Sequence, residues 1–309
     1  MSRADDDTPL ANVADPELPF MTVTQASRIR SLVRTAFAEN GREVTVFGDH
    51  VRDDRGGVFG LWNIAAACGS DPGGEQAWPR VVEEAHVRGL LAAAGRDIFA
   101  GLTGAEVRAR TYARLYPAAE VSPDLFGYAT EVMPGLLELL AFDLPDTVTM
   151  MRETDVERFG GPVALREAGL ANLRAVPIGE TERVTTDDGA SFDLVTGQSV
   201  YTASLALILP DMLTRLDDAE PRPYGVLACV PAHGQLAVHV IRDMSVLPSL
   251  KLMARFAANL YDSGVGPLSP SVYWWRDGTW EAISRPGLDG EVRIVLSEHL
   301  RRLLDRLAG

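Results

Sequence analysis

An Asp-Gly pair at 277–278 interrupts the aromatic stretch "SVYWWRDGTWEAI". Asp-Gly pairs readily adopt the positive φ angles of a two-residue hairpin loop, so the stretch is predicted to fold back as two antiparallel strands. The loop then sets Trp275 opposite Trp280 and places Tyr273 on the same face, while Trp274 points to the other face. A chain with this pattern must build part of its fold as antiparallel sheet.

Other segments of the second half combine strands with helices. The pair at 188–189 predicts a further hairpin, and the stretches on either side of 231–234 read as strands that are apolar on both faces, as in a sheet covered by helices. Residues 165–173 and 294–307 place apolar residues at helical spacing. We therefore predict an α+β fold, with helices packed on a mixed, largely antiparallel sheet.

One phrase occurs twice in the chain. "VTVFGDHVRDDRGG" begins at Val44 and "VTMMRETDVERFGG" at Val148, and each is followed by a Gly-Leu-x-Asn stretch, from Gly60 and Gly169. Duplication of a strand–loop–helix unit would give two similar halves, and chance agreement among common residues is the alternative. Neither copy has the glycine spacing of a phosphate-binding loop, so the repeat indicates no ligand.

The organisation predicted along the chain has three parts. Residues 1–20 are acidic and aperiodic, which is typical of a disordered tail. Residues 21–133 form an N-terminal α/β half, and residues 134–309 form a C-terminal α+β half with hairpins and a final helix. A capping box at 103–106 predicts a helix over the following residues, 107–116.

Composition excludes several classes of partner. The chain has 309 residues and a formal net charge of -14, and such a charge repels both nucleic-acid backbones and anionic lipid. No apolar run reaches the length of a spanning helix, and the first residues lack the pattern of a signal peptide. With only two cysteines, far apart, the expected location is the reducing cytoplasm.

A search for catalytic and metal-binding patterns finds none. The five histidines show no metal-ligand spacing, and no nucleophile elbow or calcium loop is present. Cys229 and His233 are four residues apart, but a thiol in the middle of an apolar strand is normally inert, and His233 is expected in a turn. We therefore expect no catalytic residue, no metal site and no cofactor.

The hairpin aromatics remain as candidate binding residues. Tyr and Trp beside an arginine are typical of interface hot spots, which makes Trp274, Tyr273, Arg276 and Trp280 the predicted partner-binding residues. Trp274 is the candidate for exposure because it faces away from the other rings. The alternative is that these rings close the core under the C-terminal helix.

The second half contains the phrases "SVYTASLALIL", "GVLACVPAHGQL" and "PLSPSVYWWRDGTW", in that order. In these phrases the chain resembles the YtpQ-like bacterial family of unknown function, and the likeness covers roughly residues 135–283 and, more faintly, residues 42–91. The family's apolar strand ends in a Val-Pro-Ser-Arg-Asp type of turn, whereas this chain has Val-Pro-Ala-His-Gly at 230–234. The resemblance implies a fold and no particular reaction.

These observations favour a non-catalytic protein-binding module. An adaptor, or an immunity-type protein that neutralises a basic partner through an acidic surface, agrees with the charge and with the missing catalytic patterns. Two alternatives stay open: an enzyme of unrecognised type, such as a hydrolase built from distant side chains, and a structural subunit of a larger assembly. A pocket with several convergent ionisable groups would favour the enzyme.

Overall fold

A computed structural model describes residues 13, 15, 17, 18, 20–54, 58–87, 97–144, 148–197, 199–216, 221–263, 266–287 and 292–308. Within these ranges helices alternate with antiparallel sheets, which confirms the predicted α+β class. The helices are α1 (Val23–Glu39), α2 (Trp62–Ser70), α3 (Trp78–Arg80), α4 (Gly104–Ala109), α5 (Glu153–Arg158), α6 (Gly161–Ala175), α7 (Leu209–Arg215), α8 (Val246–Ser263) and α9 (Glu298–Ala308). A π-helix (Val81–Val87) continues α3, and a 3-10 helix (Ala203–Ile208) precedes α7.

The strands form four sheets in the described ranges. They are β1 (Val44–Val46), β2 (His50–Asp53), β3 (Val58–Gly60), β4 (Thr111–Pro117), β5 (Thr130–Met133), β6 (Leu136–Asp143), β7 (Val148–Met150), β8 (Glu180–Thr185), β9 (Ser191–Thr196), β10 (Val226–Cys229), β11 (Gln235–Val240), β12 (Val272–Arg276), β13 (Thr279–Ala282), β14 (Ser284–Pro286) and β15 (Val292–Ile294). The sheets have the orders β1-β2-β3, β13-β12-β10-β11-β9-β8, β14-β15 and β4-β6-β5, with β7 added on β6.

The chain divides into two compact units, Met1–Gly101 and Leu102–Gly309. The boundary predicted after residue 133 differs from this one. It falls between β5 and β6, which are paired strands of one sheet. Backbone hydrogen bonds between these strands therefore hold the two sides of the predicted boundary in the same unit.

The first unit is built around α1. Its N-terminus carries a capping box in which the Thr22 hydroxyl accepts from the Gln25 backbone N–H, and the helix buries Ile29, Val33 and Phe37. Gly41 follows with φ 73°, a left-handed conformation that glycine adopts without steric cost and that ends the helix.

The disordered tail predicted over 1–20 lies mostly outside the described residues. Two of the residues that are described belong to the packed unit instead. Leu18 is fully buried, and the Asp15 carboxylate accepts from both terminal nitrogens of Arg30 at 2.8 Å. The guanidinium of Arg30 lowers the pKa of Asp15. The burial of Leu18 and the ion pair between Asp15 and Arg30 thus hold these residues against the first unit.

The two copies of the repeated phrase differ in structure. Each starts with a three-residue strand, β1 or β7, but the first copy continues as the strand β2 and the second as the helix α5. The phrase therefore does not mark one structural unit used twice at these positions.

A strand replaces most of the helix predicted over 107–116. The capping box is confirmed, since the Glu106 carboxylate accepts from the Thr103 N–H at 2.7 Å, yet α4 ends at Ala109. From Thr111 onward the backbone pairs with β6 over seven residues. Because β6 offers a long apolar partner strand, tertiary pairing overrides the local helical signal.

The six-stranded sheet has both faces covered, as its two-sided apolar strands predict. One face of β10 contributes Val226 and Ala228 to a core shared with β4 and β6. The opposite face contributes Leu227 and Cys229 to a core under α8 and α9. Successive side chains of β10 point to opposite faces of the sheet, and all of them are apolar. The sheet therefore packs against one layer on each face.

Candidate functional site

The hairpin at 277–278 has the predicted register. Arg276 pairs with Thr279 across a two-residue loop whose φ angles are 50° and 83°, and Trp275 lies opposite Trp280. Tyr273 contacts Trp280 edge to face at 6.4 Å between ring centroids. Turn chemistry and alternation thus define this element without help from the rest of the fold.

The exposure predicted for Trp274 is wrong. Trp274 does point away from the other three rings, but its face of the sheet is covered by α8 and α9, and only 4% of the residue is exposed. Its indole N–H donates to the Tyr224 carbonyl at 2.9 Å. Tyr273 is buried as well, on the opposite face, with its hydroxyl on Ser269 and on the Pro134 carbonyl. Two of the four predicted binding residues therefore serve the core.

Two of the four predicted binding residues line a groove beside this hairpin. Trp274 and Arg276 line a space of about 830 Å³ between β12, β13 and α9. The charged residues around it have both signs: Arg276, Asp277, Glu281, Arg302, Asp305 and Arg306. Trp280 is half-buried against the other core and does not line the groove.

A second cluster of polar side chains lies on β4. Tyr112, Arg114 and Tyr116 alternate along the strand and so share one face of it. Tyr201, from the turn before the 3-10 helix, and His233, from the turn between β10 and β11, lie next to them. We call these five residues the arginine site.

Arg114 is the unusual member of the arginine site. Only 9% of the residue is exposed, and in the described part of the chain no carboxylate lies within 4.0 Å of its guanidinium. Its Nε atom is buried without an acceptor. Its guanidinium lies over the Tyr116 ring, with Cζ 5.9 Å from the ring centroid. Burial lowers the pKa of the guanidinium, but an arginine keeps its proton at neutral pH, so the site holds an uncompensated positive charge.

Two tyrosines of the arginine site stack on each other. The rings of Tyr112 and Tyr201 lie 4.4 Å apart at an angle of 17°. The Tyr201 hydroxyl donates to Asp143 at 3.1 Å, and burial followed by the Asp143 charge raises the pKa of this phenol. Tyr201 is therefore a neutral hydrogen-bond donor at physiological pH.

His233 adds a neutral ring to the site. Its centroid lies 6.0 Å from that of Tyr116, and its Nδ1 atom is buried without a hydrogen-bond partner. Burial, together with the charge of Arg114, lowers the pKa of His233 to about 3. The imidazole is uncharged at neutral pH and can offer one donor and one acceptor.

Backbone bonds hold the turns against β4. The Leu115 N–H of β4 donates to the Ser204 hydroxyl at 3.0 Å. The Ala203 N–H donates to the His233 carbonyl at 2.9 Å, and the His233 N–H donates to the Gly266 carbonyl at 3.1 Å. Strand, 3-10 helix and turn are thus one framework, and the arginine site is preorganised.

The chemistry of the arginine site suits an anion. A guanidinium presents forked N–H donors that match carboxylate and phosphate oxygens, and a low-dielectric setting strengthens such contacts. The rings of Tyr112, Tyr116 and His233 are half-buried, so partly accessible aromatic surface belongs to the same site as the guanidinium.

Sequence reasoning missed this site. Predicting helix over 107–116 hid the alternation of Tyr112, Arg114 and Tyr116, which is the one local signal of a shared face. The phrases behind the YtpQ-like resemblance contain Tyr201 and His233, but nothing in their spacing shows that both contact β4. Arg114 gains its significance only from burial.

Cys229 is a buried packing residue, as its place in an apolar strand predicts. Cys229 is fully buried in β10, and burial raises its pKa to about 12, so the thiol is not a nucleophile at neutral pH.

Across the described ranges no three His, Cys, Asp or Glu side chains are grouped to hold a metal ion. None of the helices described has the length and apolar content to cross a membrane.

Comparison with protein-family models, with curated proteins and with solved structures found no match for this chain. The resemblance to the YtpQ-like family therefore stays a prediction.

Proposed function

We propose that this protein binds a small organic anion, a carboxylate or phosphate joined to an apolar or aromatic body, at the arginine site. The observation that supports the proposal is the buried guanidinium of Arg114, which has no carboxylate partner in the described part of the chain. An isolated buried charge costs several kcal/mol of stability. A ligand that supplies the missing negative charge recovers this cost as binding energy.

Neighbouring groups favour an organic anion over a bare inorganic one. The stacked rings of Tyr112 and Tyr201 give the ligand body an aromatic wall, while the Tyr201 hydroxyl is already committed to Asp143. Neutral His233 can donate to an anion without adding a charge. The anionic group of the ligand would thus contact Arg114 and His233, and its apolar body would contact the tyrosine rings.

The first test compares Arg114→Met with the unmodified protein. Benzoate, phenyl phosphate and inorganic phosphate are titrated by calorimetry, and stability without ligand is measured by urea unfolding. We expect an organic anion to bind the unmodified protein and the variant to bind it at least about thirtyfold more weakly. Since the variant loses an uncompensated charge, its stability without ligand should equal that of the unmodified protein or exceed it by about 1–2 kcal/mol.

Arg108→Met provides the matched control, because Arg108 is exposed one turn before β4 and carries the same charge. It should leave binding unchanged. The proposal is wrong if none of the three anions binds the unmodified protein, or if Arg114→Met binds as tightly. A strongly destabilised Arg114→Met protein that still binds would assign Arg114 a structural role instead.

A second candidate function is protein binding through the groove beside the hairpin. Its volume of about 830 Å³ and its lining by Trp274 and Arg276 favour a protein segment as the occupant, and the net charge of -14 favours a basic one. An adaptor or immunity-type role would follow from such a partner.

Partner capture from the native lysate tests this candidate, with Glu281→Arg/Asp305→Arg as the altered bait. We expect a stoichiometric basic partner to bind the unmodified bait and to be lost from the altered one, since two acidic groove residues are reversed. Asp187→Arg, an exposed change in a distant hairpin loop, is the control and should retain the partner. Trp274→Ala is unsuitable as bait, because truncating a buried Trp costs about 3–5 kcal/mol of stability. Recovery of the same proteins by both baits would count against the candidate.

A further inference from the structure

The six-stranded sheet ends at β8, and the outer edge of this strand has no paired neighbour in the described part of the chain. β8 covers Glu180–Thr185, and every residue of it except Val184 is exposed. An uncovered edge of this length offers a row of backbone donors and acceptors with which another strand can pair.

The backbone groups of three residues point outward from this edge. The Thr186 N–H donates to the Ala190 carbonyl at 3.0 Å, so the hydrogen-bonded pairs between β8 and β9 fall on the even-numbered residues of β8. The N–H and C=O groups of Thr181, Arg183 and Thr185 therefore point away from β9. None of these groups has a hydrogen-bond partner among the residues that the structure describes.

One face of the edge is acidic. Glu180 and Glu182 lie on the same face of the sheet as Val184, which packs on the core under α8. Both carboxylates are exposed, and within the described ranges neither has a cationic partner at 4.0 Å or less. This face of the edge therefore presents two adjacent negative charges that no basic side chain of the described chain neutralises.

The other face of the edge adjoins a cavity. Thr181 and Arg183 line a space of about 510 Å³ together with Leu213 and Leu216, at the end of α7. A strand added beside β8 places every second side chain on this face of the sheet. The space is large enough for an aliphatic side chain, and the two leucines offer it apolar contact.

We propose that β8 binds an extended segment of a partner protein as an added strand, and that basic and aliphatic residues alternate in this segment. The outward backbone groups of Thr181, Arg183 and Thr185 supply the hydrogen bonds. Glu180 and Glu182 attract the basic side chains on one face, while the aliphatic side chains face the cavity. Alternation gives the same pattern for a parallel and for an antiparallel segment.

A second copy of this chain is a less suitable occupant of the edge. Antiparallel pairing of two β8 strands places Glu180 and Glu182 of both copies on one face of the seam. Like charges on paired strands are destabilising, and a net charge of -14 on each copy adds to the repulsion. The acidic face therefore disfavours self-pairing and selects a basic segment.

The probe is the synthetic peptide acetyl-Thr-Lys-Val-Lys-Val-Thr-amide, added to the full-length protein at up to about 1 mM. Amide hydrogen exchange is followed by NMR. We expect the peptide to slow the exchange of the Thr181, Arg183 and Thr185 amides about tenfold or more, because each gains an acceptor. The matched peptide with Glu in place of both Lys should leave these rates unchanged.

Thr181→Pro tests the strand pairing. Proline removes an outward N–H and is tolerated at edge positions whose N–H faces solvent, so the fold should be retained. We expect the peptide to bind this variant about tenfold more weakly or worse. Thr181→Val keeps the backbone donor and is the matched control, which should bind normally.

Glu180→Gln/Glu182→Gln tests the acidic face. The double variant should bind the lysine peptide about fivefold more weakly, and added salt should weaken its binding less than that of the unmodified protein. Both substitutions are at exposed positions, so the variant should fold like the unmodified protein.

Four results would overturn the proposal. The lysine peptide leaves the three amides unprotected, or the glutamate peptide protects them equally well. Thr181→Pro, folded as judged by its NMR spectrum, or the double glutamine variant binds the lysine peptide with unchanged affinity. Protection that rises with protein concentration in the absence of peptide would assign the edge to a second copy instead.

Discussion

Acidification through His233 is expected to remove on the order of 4 kcal/mol from the free energy of unfolding. In the folded protein burial beside Arg114 lowers the pKa of His233 to about 3, against an ordinary value of 6.5 in the unfolded chain. The unfolded state therefore binds the proton more readily than the folded state. The contribution of His233 is fully present above about pH 6.5 and is lost progressively as the pH falls towards 3.

Urea unfolding across this pH window measures the effect. Carboxylates also titrate at the acidic end, so the informative quantity is the difference between the unmodified protein and His233→Gln. The variant should lose stability with a shallower slope below pH 6.5. His299→Gln, at an exposed histidine, is the control and should follow the unmodified protein. Parallel curves for the unmodified protein and His233→Gln would show that His233 is not held neutral by the fold.

Gly169→Ala is expected to destabilise the protein by about 2–3 kcal/mol, although helix propensity alone predicts a gain of roughly 0.5–1 kcal/mol. Gly169 lies in α6, which packs directly on β4. A Cβ atom at this position would lie 2.6 Å from the Ala113 backbone nitrogen and 3.0 Å from the Tyr112 carbonyl carbon. Backbone atoms of a paired strand cannot move away as a flexible side chain can. The sign of the effect therefore distinguishes close packing from propensity.

Thermal and urea unfolding of Gly169→Ala give this sign. Glu167→Ala, two residues away on the exposed face of α6, is the control and should change stability by less than about 0.5 kcal/mol. Because relief of the contact must displace β4, the variant should also weaken anion binding at the arginine site. Increased stability of Gly169→Ala would mean that α6 and β4 are not in close contact.

Local chemistry accounts for the parts of the fold that were predicted correctly. The hairpin register at 277–278 follows from turn geometry, and the capping box at 103–106 follows from hydrogen bonds between residues close in the chain. The strands on either side of 231–234 were predicted because nearly every residue in these two stretches is apolar. Each of these features depends on neighbours within about one turn or one hairpin.

The predictions that failed depend on distant partners. Residues 111–116 form a strand because β6 pairs with them, and Trp274 is buried because α8 and α9 cover its face of the sheet. No local pattern near either segment contains this information. The predicted exposure of Trp274 rested on its direction alone, which was correct, whereas burial depends on what lies in that direction.

The sequence by itself determined the class of fold, the capping box at 103–106 and the hairpin register at 277–278, because the interactions that specify the cap and the hairpin act between residues close in the chain. Only the tertiary structure decided that Arg114 is buried with no carboxylate within 4.0 Å among the residues the structure describes, and that Tyr201 and His233 lie beside it. The cost of a buried charge depends on the removal of water by the whole fold, and that removal is a property of three-dimensional packing.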